Sequence, residues 1–234
     1  MAEVSHDALF GGGLRLEQPA KKSGYRVNVD ALLLASFAAQ GRRARVAFDL
    51  GAGVGAVGLT LLLRQAAAHV TLVDVDEALC DLARENARAN GFQSVVDVLV
   101  ADVALVKGAA DLIVCNPPYV EPGRGRPPAA RVARARSGKL APFVEAARRL
   151  SGRRARTCFV YPASESTTLL ACLRAHGLEP KRLRAVHAKE GAPARVVLVE
   201  ACPGKPGGLV IEPPLVELDA RGRPSDTLRA ILES

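Results

Sequence analysis

The chain contains no tryptophan and one methionine, and aromatic residues make up only 4% of its 234 residues. Its core must therefore be built from Ala, Leu and Val. Long apolar runs are also missing: the longest, Ala31 to Ala39 and Ala56 to Leu63, are far too short to cross a bilayer. No basic-then-apolar leader opens the sequence, so a cytoplasmic protein without a membrane partner is expected. The five cysteines, 80, 115, 158, 172 and 202, form no CxxC pair and have no histidine at ligand spacing. Their number and dispersion argue against a zinc site and a disulfide framework, and buried small side chains are the better reading. No metal is expected, and none of the four histidines is a catalytic candidate.

Positive charge is abundant and uneven. Between Glu121 and Arg156 stand eleven basic residues against two acidic ones, a net +9 where the whole chain sums to +8. Arg124, Arg126, Arg131, Arg134 and Arg136 crowd the Pro/Gly/Arg-rich stretch 121–139, which lacks apolar periodicity and reads as a basic loop. A planar guanidinium binds two phosphate oxygens at once, so the segment suits RNA. The excess is expected to flank the site described next.

From Val46 to Leu63 the chain reads as an apolar strand, Asp49, a turn carrying Gly51, Gly53 and Gly55, and an apolar helix. Those glycines allow a tight turn and close approach of a ligand to the backbone. Gly53-Val54-Gly55-Ala56-Val57-Gly58 also fits a dinucleotide fingerprint, so a nicotinamide-nucleotide protein is one reading. Asp49 beside the turn disfavours a pyrophosphate and is tolerable next to the cationic sulfonium of S-adenosylmethionine. The next strand, from His69, ends in Asp74, placed to accept both ribose hydroxyls of a nucleoside. Asp76 opens a helix, as ligand or as N-cap. Asp102 follows a third strand, where it could accept from an adenine amino group or stand in a surface loop.

The run Asp111 to Cys115 ends in Asn116-Pro117-Pro118-Tyr119. Two acceptors, the Asn116 side-chain oxygen and the Pro117 carbonyl, could draw the N–H groups of a conjugated amine and localise its lone pair for attack on a methyl group. Tyr119 offers a face for a flat substrate, and the paired prolines favour an extended backbone that holds the acceptors ready. A plain proline-rich turn is the bland alternative.

In order and spacing, residues 46 to 120 resemble the class I S-adenosylmethionine-dependent methyltransferases. The segments FGGGLRLEQPAKKSGYRVNVDALLLASFA and LVIEPPLVEL are similar to the bacterial tRNA (adenine-N6)-methyltransferase subfamily. That resemblance implies an α/β, Rossmann-like fold with a seven-stranded, mostly parallel sheet, the last strand antiparallel, and helices on both faces. It also implies S-adenosylmethionine as cofactor, tRNA as partner, and Asp30 near the amino-acid end of the cofactor, with a helix cap as the rival reading of Asp30. Residues 1–42 read as a hairpin and helix extension, 43–202 as the catalytic domain and 203–234 as an edge segment with a short helix. The hairpin is expected from Leu14 to Gln18 and Tyr25 to Val27. A protein glutamine, as in a release factor, or a guanine amine are alternative acceptors for the same chemistry.

Overall fold

The computed structural model describes residues 4–9, 12–19, 28–118 and 140–233. Two layers of helices enclose one large sheet. The alternation begins with β3 (Ala44–Leu50), α2 (Ala56–Leu63), β4 (Ala67–Asp74), α3 (Glu77–Ala89), β5 (Val96–Val100) and β6 (Ala110–Cys115). It continues through α4 (Leu140–Leu150), β7 (Ser151–Pro162), α5 (Ser166–Ala175), β8 (Leu178–Lys189) and β9 (Ala194–Pro203). Helix α1 (Val29–Ala39) precedes this series, and β10 (Val210–Ile211), β11 (Leu215–Leu218) and α6 (Asp226–Glu233) follow it.

The spatial order β10-β8-β9-β7-β6-β3-β4-β5 runs through a nine-stranded sheet, with β11 also on β8. Strands β3 to β7 are mutually parallel, and β9 is antiparallel to both β7 and β8. The expected mostly parallel sheet with its late antiparallel strand is therefore present. The expected count of seven falls short because β10 and β11 add two short strands, one on each side of Pro213-Pro214, along the outer edge of β8. Proline ends each piece because it has no N–H for a ladder.

Period-two alternation divides the buried side chains between the faces. Leu112 and Val114 of β6, with Val196 and Leu198 of β9, pack beneath α1, α2 and α6. Ile113 and Cys115, with Val197 and Val199, pack beneath α4 and α5. Helix α1 is apolar almost all round, and nine of its residues from Asp30 to Ala38 are buried. Cys80, Cys115 and Cys158 are buried and all five cysteines are unpaired.

A separate hairpin pairs β1 (Val4–Leu9) with β2 (Leu14–Pro19). Leu14 to Gln18 is thus a strand as expected, but its partner precedes it; Tyr25 to Val27 lies outside the described residues. Among the described residues no helix is long and apolar enough to cross a membrane.

Candidate active site

Register places the ends of the parallel strands on one edge. Leu50 sits beside Cys115 and Val73, Asp74 beside Val100, and Cys115 beside Phe159. Gly51, Val75, Ala101 and Asn116 are each the next residue on. Strand order reverses between β3 and β6, since the chain proceeds outward to β4 and β5 and then returns to the other side. A crevice at such a reversal, outside the carboxyl ends of the strands, is where open α/β sheets bind ligands.

The turn after β3 is held by its neighbour. Gly51, Gly53 and Gly55 have φ of 74°, 55° and 87°, a region that favours glycine. The N–H groups of Gly51 and Ala52 both donate to the Val73 carbonyl at 2.9 Å. Gly53 N–H donates to Asp74 Oδ2 at 2.8 Å, and Asp76 N–H to Asp74 Oδ1 at 2.9 Å. Each carboxylate oxygen keeps a second lone pair, so the group is fixed in orientation and still able to accept two hydroxyls. Burial raises the Asp74 pKa, against which the N–H groups of Asp76 and Gly53 work.

Asp49, one residue before the end of β3, is only 1% exposed, and its Oδ2 accepts from Gly58 N–H at 2.9 Å. Burial pushes its pKa up to about 7; the Gly58 N–H opposes the rise and the nearby Asp74 charge adds to it. A Cβ on Gly58 would lie 2.4 Å from Leu72 Cδ2 and 2.8 Å from Val70 Cγ1. The third glycine of the Gly53–Gly58 pattern is thus what lets α2 pack against β4.

The remaining acids sort by local structure. Asp76 is the N-cap of α3, accepting from Ala78 N–H at 3.0 Å. Asp102 caps a 3-10 turn, Val103–Leu105, accepting from Ala104 N–H at 2.8 Å. Asp30 is not the cap of α1; Asn28 is. Asp30 instead lies 1% exposed against Arg195 of β9, with Nη2 to Oδ1 at 2.6 Å, and Arg195 also meets Glu217 of β11 at 2.7 Å. Its carboxylate is committed to that cluster, so a cofactor role for Asp30 rests on the resemblance alone.

Asn116 is half-buried, and its amide makes no hydrogen bond with any described residue, while Pro117 is buried. Tyr119, Arg124, Arg126, Arg131, Arg134 and Arg136 lie outside the described residues.

The rest of the basic segment departs from expectation. Arg149 donates to the Val103 and Val106 carbonyls, and Arg156 pairs with Glu200 at 2.9 Å while donating to the Ala38 and Arg42 carbonyls. Arg153 and Arg154 stand at the start of β7, the end opposite Asn116. For these described residues clustering in sequence is not clustering at the site, because β7 begins at the opposite end of the sheet.

Three features escaped the reading of motifs. Val75, between Asp74 and Asp76, and Leu105, three residues past Asp102, are 61% and 74% exposed and offer apolar surface after β4 and β5. Their signal was an apolar residue where a polar loop should be. Asn86 is fully buried: its Nδ2 donates to the Val54 and Glu17 carbonyls, each at 3.0 Å, and its Oδ1 accepts from Glu17 N–H, tying α3 to the glycine turn and β2. An amide supplies the two donors and the acceptor used there, where a hydroxyl has one donor, but nothing local in the sequence marked it. Phe143 of α4 stands where a Cβ on Gly51 would be 3.3 Å from its ring.

A glycine turn that admits close approach, an oriented carboxylate with spare lone pairs and flanking exposed apolar side chains fit the nucleoside of S-adenosylmethionine. Residues 25–133 match the methyltransferase small domain family. A tRNA1(Val) (adenine(37)-N6)-methyltransferase from Glaesserella parasuis is 40% identical over 98 residues, 41% of this chain and 41% of its own length. One of the same name from Tolumonas auensis is 30% identical over 178 residues, 74% of this chain and 75% of its own. A release factor glutamine methyltransferase from Chlorobaculum tepidum is 40% identical over 78 residues, 31% of this chain and 26% of its own length. Among solved structures, a predicted O-methyltransferase from Agrobacterium tumefaciens has the same fold, with a TM-score of 0.70 over 86% of this chain and 94% of its own at 22% identity. The chain therefore belongs to the S-adenosylmethionine-dependent methyltransferases of the small-domain family, alongside the relatives named for adenine-N6 methylation of tRNA.

Proposed function

We propose that the protein methylates the exocyclic amino group of an adenine in RNA, and that this RNA is a tRNA. The observation that carries the reading is Asn116, an uncommitted amide just after β6, whose neighbour β3 leads into the Gly51 turn. Relatives named for this activity extend over three quarters of the chain.

When bound, the donor supplies a methyl group made electrophilic by its sulfonium. Asp74 would hold the ribose hydroxyls, and the turn at Gly51, Gly53 and Gly55 would take the amino-acid portion. The Asn116 side-chain oxygen and the Pro117 carbonyl accept the two N–H groups of the target amine, localising its lone pair toward the methyl carbon. Methyl transfer to that nitrogen would release the sulfur as a neutral thioether, and the amine would then lose a proton to water. No strong base is needed, consistent with the absence of a histidine candidate. Taking the base out of its stack costs a few kcal/mol, and stacking on Tyr119 would return about 1–3 kcal/mol. Holding the amine in line with the methyl group supplies most of the acceleration. Arg124, Arg126, Arg131, Arg134 and Arg136 are assigned to the RNA backbone next to that base.

The motif would serve a glutamine carboxamide equally well, and some relatives are named for that substrate. Labelled donor offered with total tRNA, ribosomal RNA, DNA and a release factor separates the two. Label in N6-methyladenosine after digestion of the tRNA supports the proposal; label confined to protein overturns it.

A further inference from the structure

At the opposite edge of the sheet lies a second concentration of charge. A cavity of about 400 Å³ there is lined by Arg42, Arg43, Arg45, Arg153 and Arg154, with Asp111 as its one acid. Asp111 Oδ2 accepts from the Arg45 backbone N–H at 3.0 Å and its Nε at 3.3 Å. The other four arginines make no ion pair or side-chain hydrogen bond with any described residue. They come from two places in sequence: the turn into β3 and the start of β7.

Their meeting is built by an irregularity. Where β6 advances two residues from Ala110 to Leu112, β7 advances five, from Ser151 to Arg156, so three extra residues are accommodated between the paired ends. A bulge re-aims the side chains it carries, and Arg153 and Arg154 are among these. Placing four unpaired cations together is self-repulsive, and an anion with several charges relieves it. The guanidinium fork matches phosphate oxygens in pairs. The cavity lining contains no large apolar side chain to enter a lipid bilayer.

We infer that this arginine-lined edge is a second RNA-backbone surface, binding phosphates remote from the base that is methylated. The inference rests on the proposed RNA substrate for the identity of its partner. Strand β3, seven residues long, separates the two edges by about 20 Å at 3.3 Å per residue. Because the two sites face opposite ends of the strands, an RNA that touches both must pass around the sheet, a path longer than this separation. A whole tRNA is then held at two places, and the catalytic edge meets only the part it modifies.

The test compares wild type with the quadruple variant R42Q/R43Q/R153Q/R154Q, whose positions are exposed. A control variant, K189Q/K205Q/R221Q, removes three exposed charges that stand at or beyond the ends of β8, β9 and β11 and do not line the cavity. Binding of a whole tRNA and of the isolated hairpin around its methylated base is measured across salt concentrations, alongside donor binding and hairpin methylation. The expected result is that tRNA affinity falls about tenfold or more in the quadruple variant and its salt slope shrinks by about 3. Hairpin binding, hairpin methylation, donor binding and the control variant stay near wild type. Unchanged tRNA affinity and slope would overturn the inference, as would an equal loss on tRNA and hairpin. Patch-dependent binding to phosphatidylglycerol vesicles but not to tRNA would overturn it in favour of a membrane. Binding is read without turnover, so a wild type that methylates no RNA would defeat the proposed function while this comparison still judges the patch.

Discussion

Asp74 and Gly53, twenty-one residues apart, are joined by a 2.8 Å hydrogen bond from the glycine N–H to the carboxylate Oδ2. The same carboxylate takes the N–H of Asp76 on its other oxygen. Asp74→Asn replaces one acceptor with an NH2 group, which then faces one of these two N–H donors. The expected cost is about 1–3 kcal/mol of stability from the unsatisfied donor. Donor affinity should fall at least tenfold, because the ribose loses a charged acceptor. Calorimetric titration and a denaturant melt of the same sample check both. Full retention of donor affinity would remove Asp74 from the cofactor site.

How much of this was legible follows from where each residue's partners lie. The turn at Gly51–Gly55, the acid ending β4 and the cap at Asp76 are set by neighbours in sequence, so pattern sufficed. The commitments of Asp30 to Arg195 and of Asn86 to Val54 and Glu17 join residues far apart in the chain, and no local signal carries them. Of the basic segment only Arg148 to Arg156 are described, and the places of Arg149, Arg153, Arg154 and Arg156 follow from partners and strand direction that local charge does not carry. Residues 203–234 read as an edge segment with a short helix, but the pairing of β10 and β11 with β8 is a long-range contact that no local pattern carries.

Asp49 should make stability depend on pH. Its folded-state pKa is raised from 3.8 to about 7, so the native state holds a proton that the unfolded state gives up. Stability from this group is present below about pH 4 and lost as pH rises through about 7, by up to roughly 4 kcal/mol. Asp49→Asn keeps an oxygen for Gly58 N–H and carries no charge. The variant should melt higher than wild type at pH 8, with the difference vanishing near pH 4. Its affinity for the cationic donor should fall at pH 8, where the wild-type carboxylate is ionised. Melting curves across that pH range decide it, and a pH-independent difference would contradict the assignment.

Arg195 ties helix α1 to the C-terminal strand β11 through Asp30 and Glu217. Burial works against its charge, but the two carboxylates outweigh that and raise its pKa above the ordinary guanidinium value. Arg195→Ala strands two acids, one of them 1% exposed. The expected loss is about 3–5 kcal/mol, because a buried charge is left uncompensated. Denaturant unfolding measures it, and limited proteolysis should find residues after Pro203 cleaved sooner. A loss below about 1 kcal/mol would mean that water reaches the pair and screens it.

Asn116 presents the opposite case, a half-buried amide that no described residue engages. A side chain held ready for a substrate contributes little to the empty fold, so Asn116→Ala should leave the melting temperature within about 2 °C of wild type, the shift expected for less than about 0.5 kcal/mol. Donor binding should stay within a few-fold, since Asp74 and the glycine turn are untouched. Turnover should fall by on the order of a hundredfold or more, because the amine loses an acceptor that shapes its lone pair in the transition state. Asn116→Asp is the sharper comparison: it retains an acceptor oxygen but brings a charge beside a flat base, so partial activity is expected. Single-turnover methylation read together with thermal melts separates the roles. A large fall in melting temperature with proportional loss of activity would make Asn116 a structural residue, and the proposed amine geometry at the end of β6 would have to be abandoned.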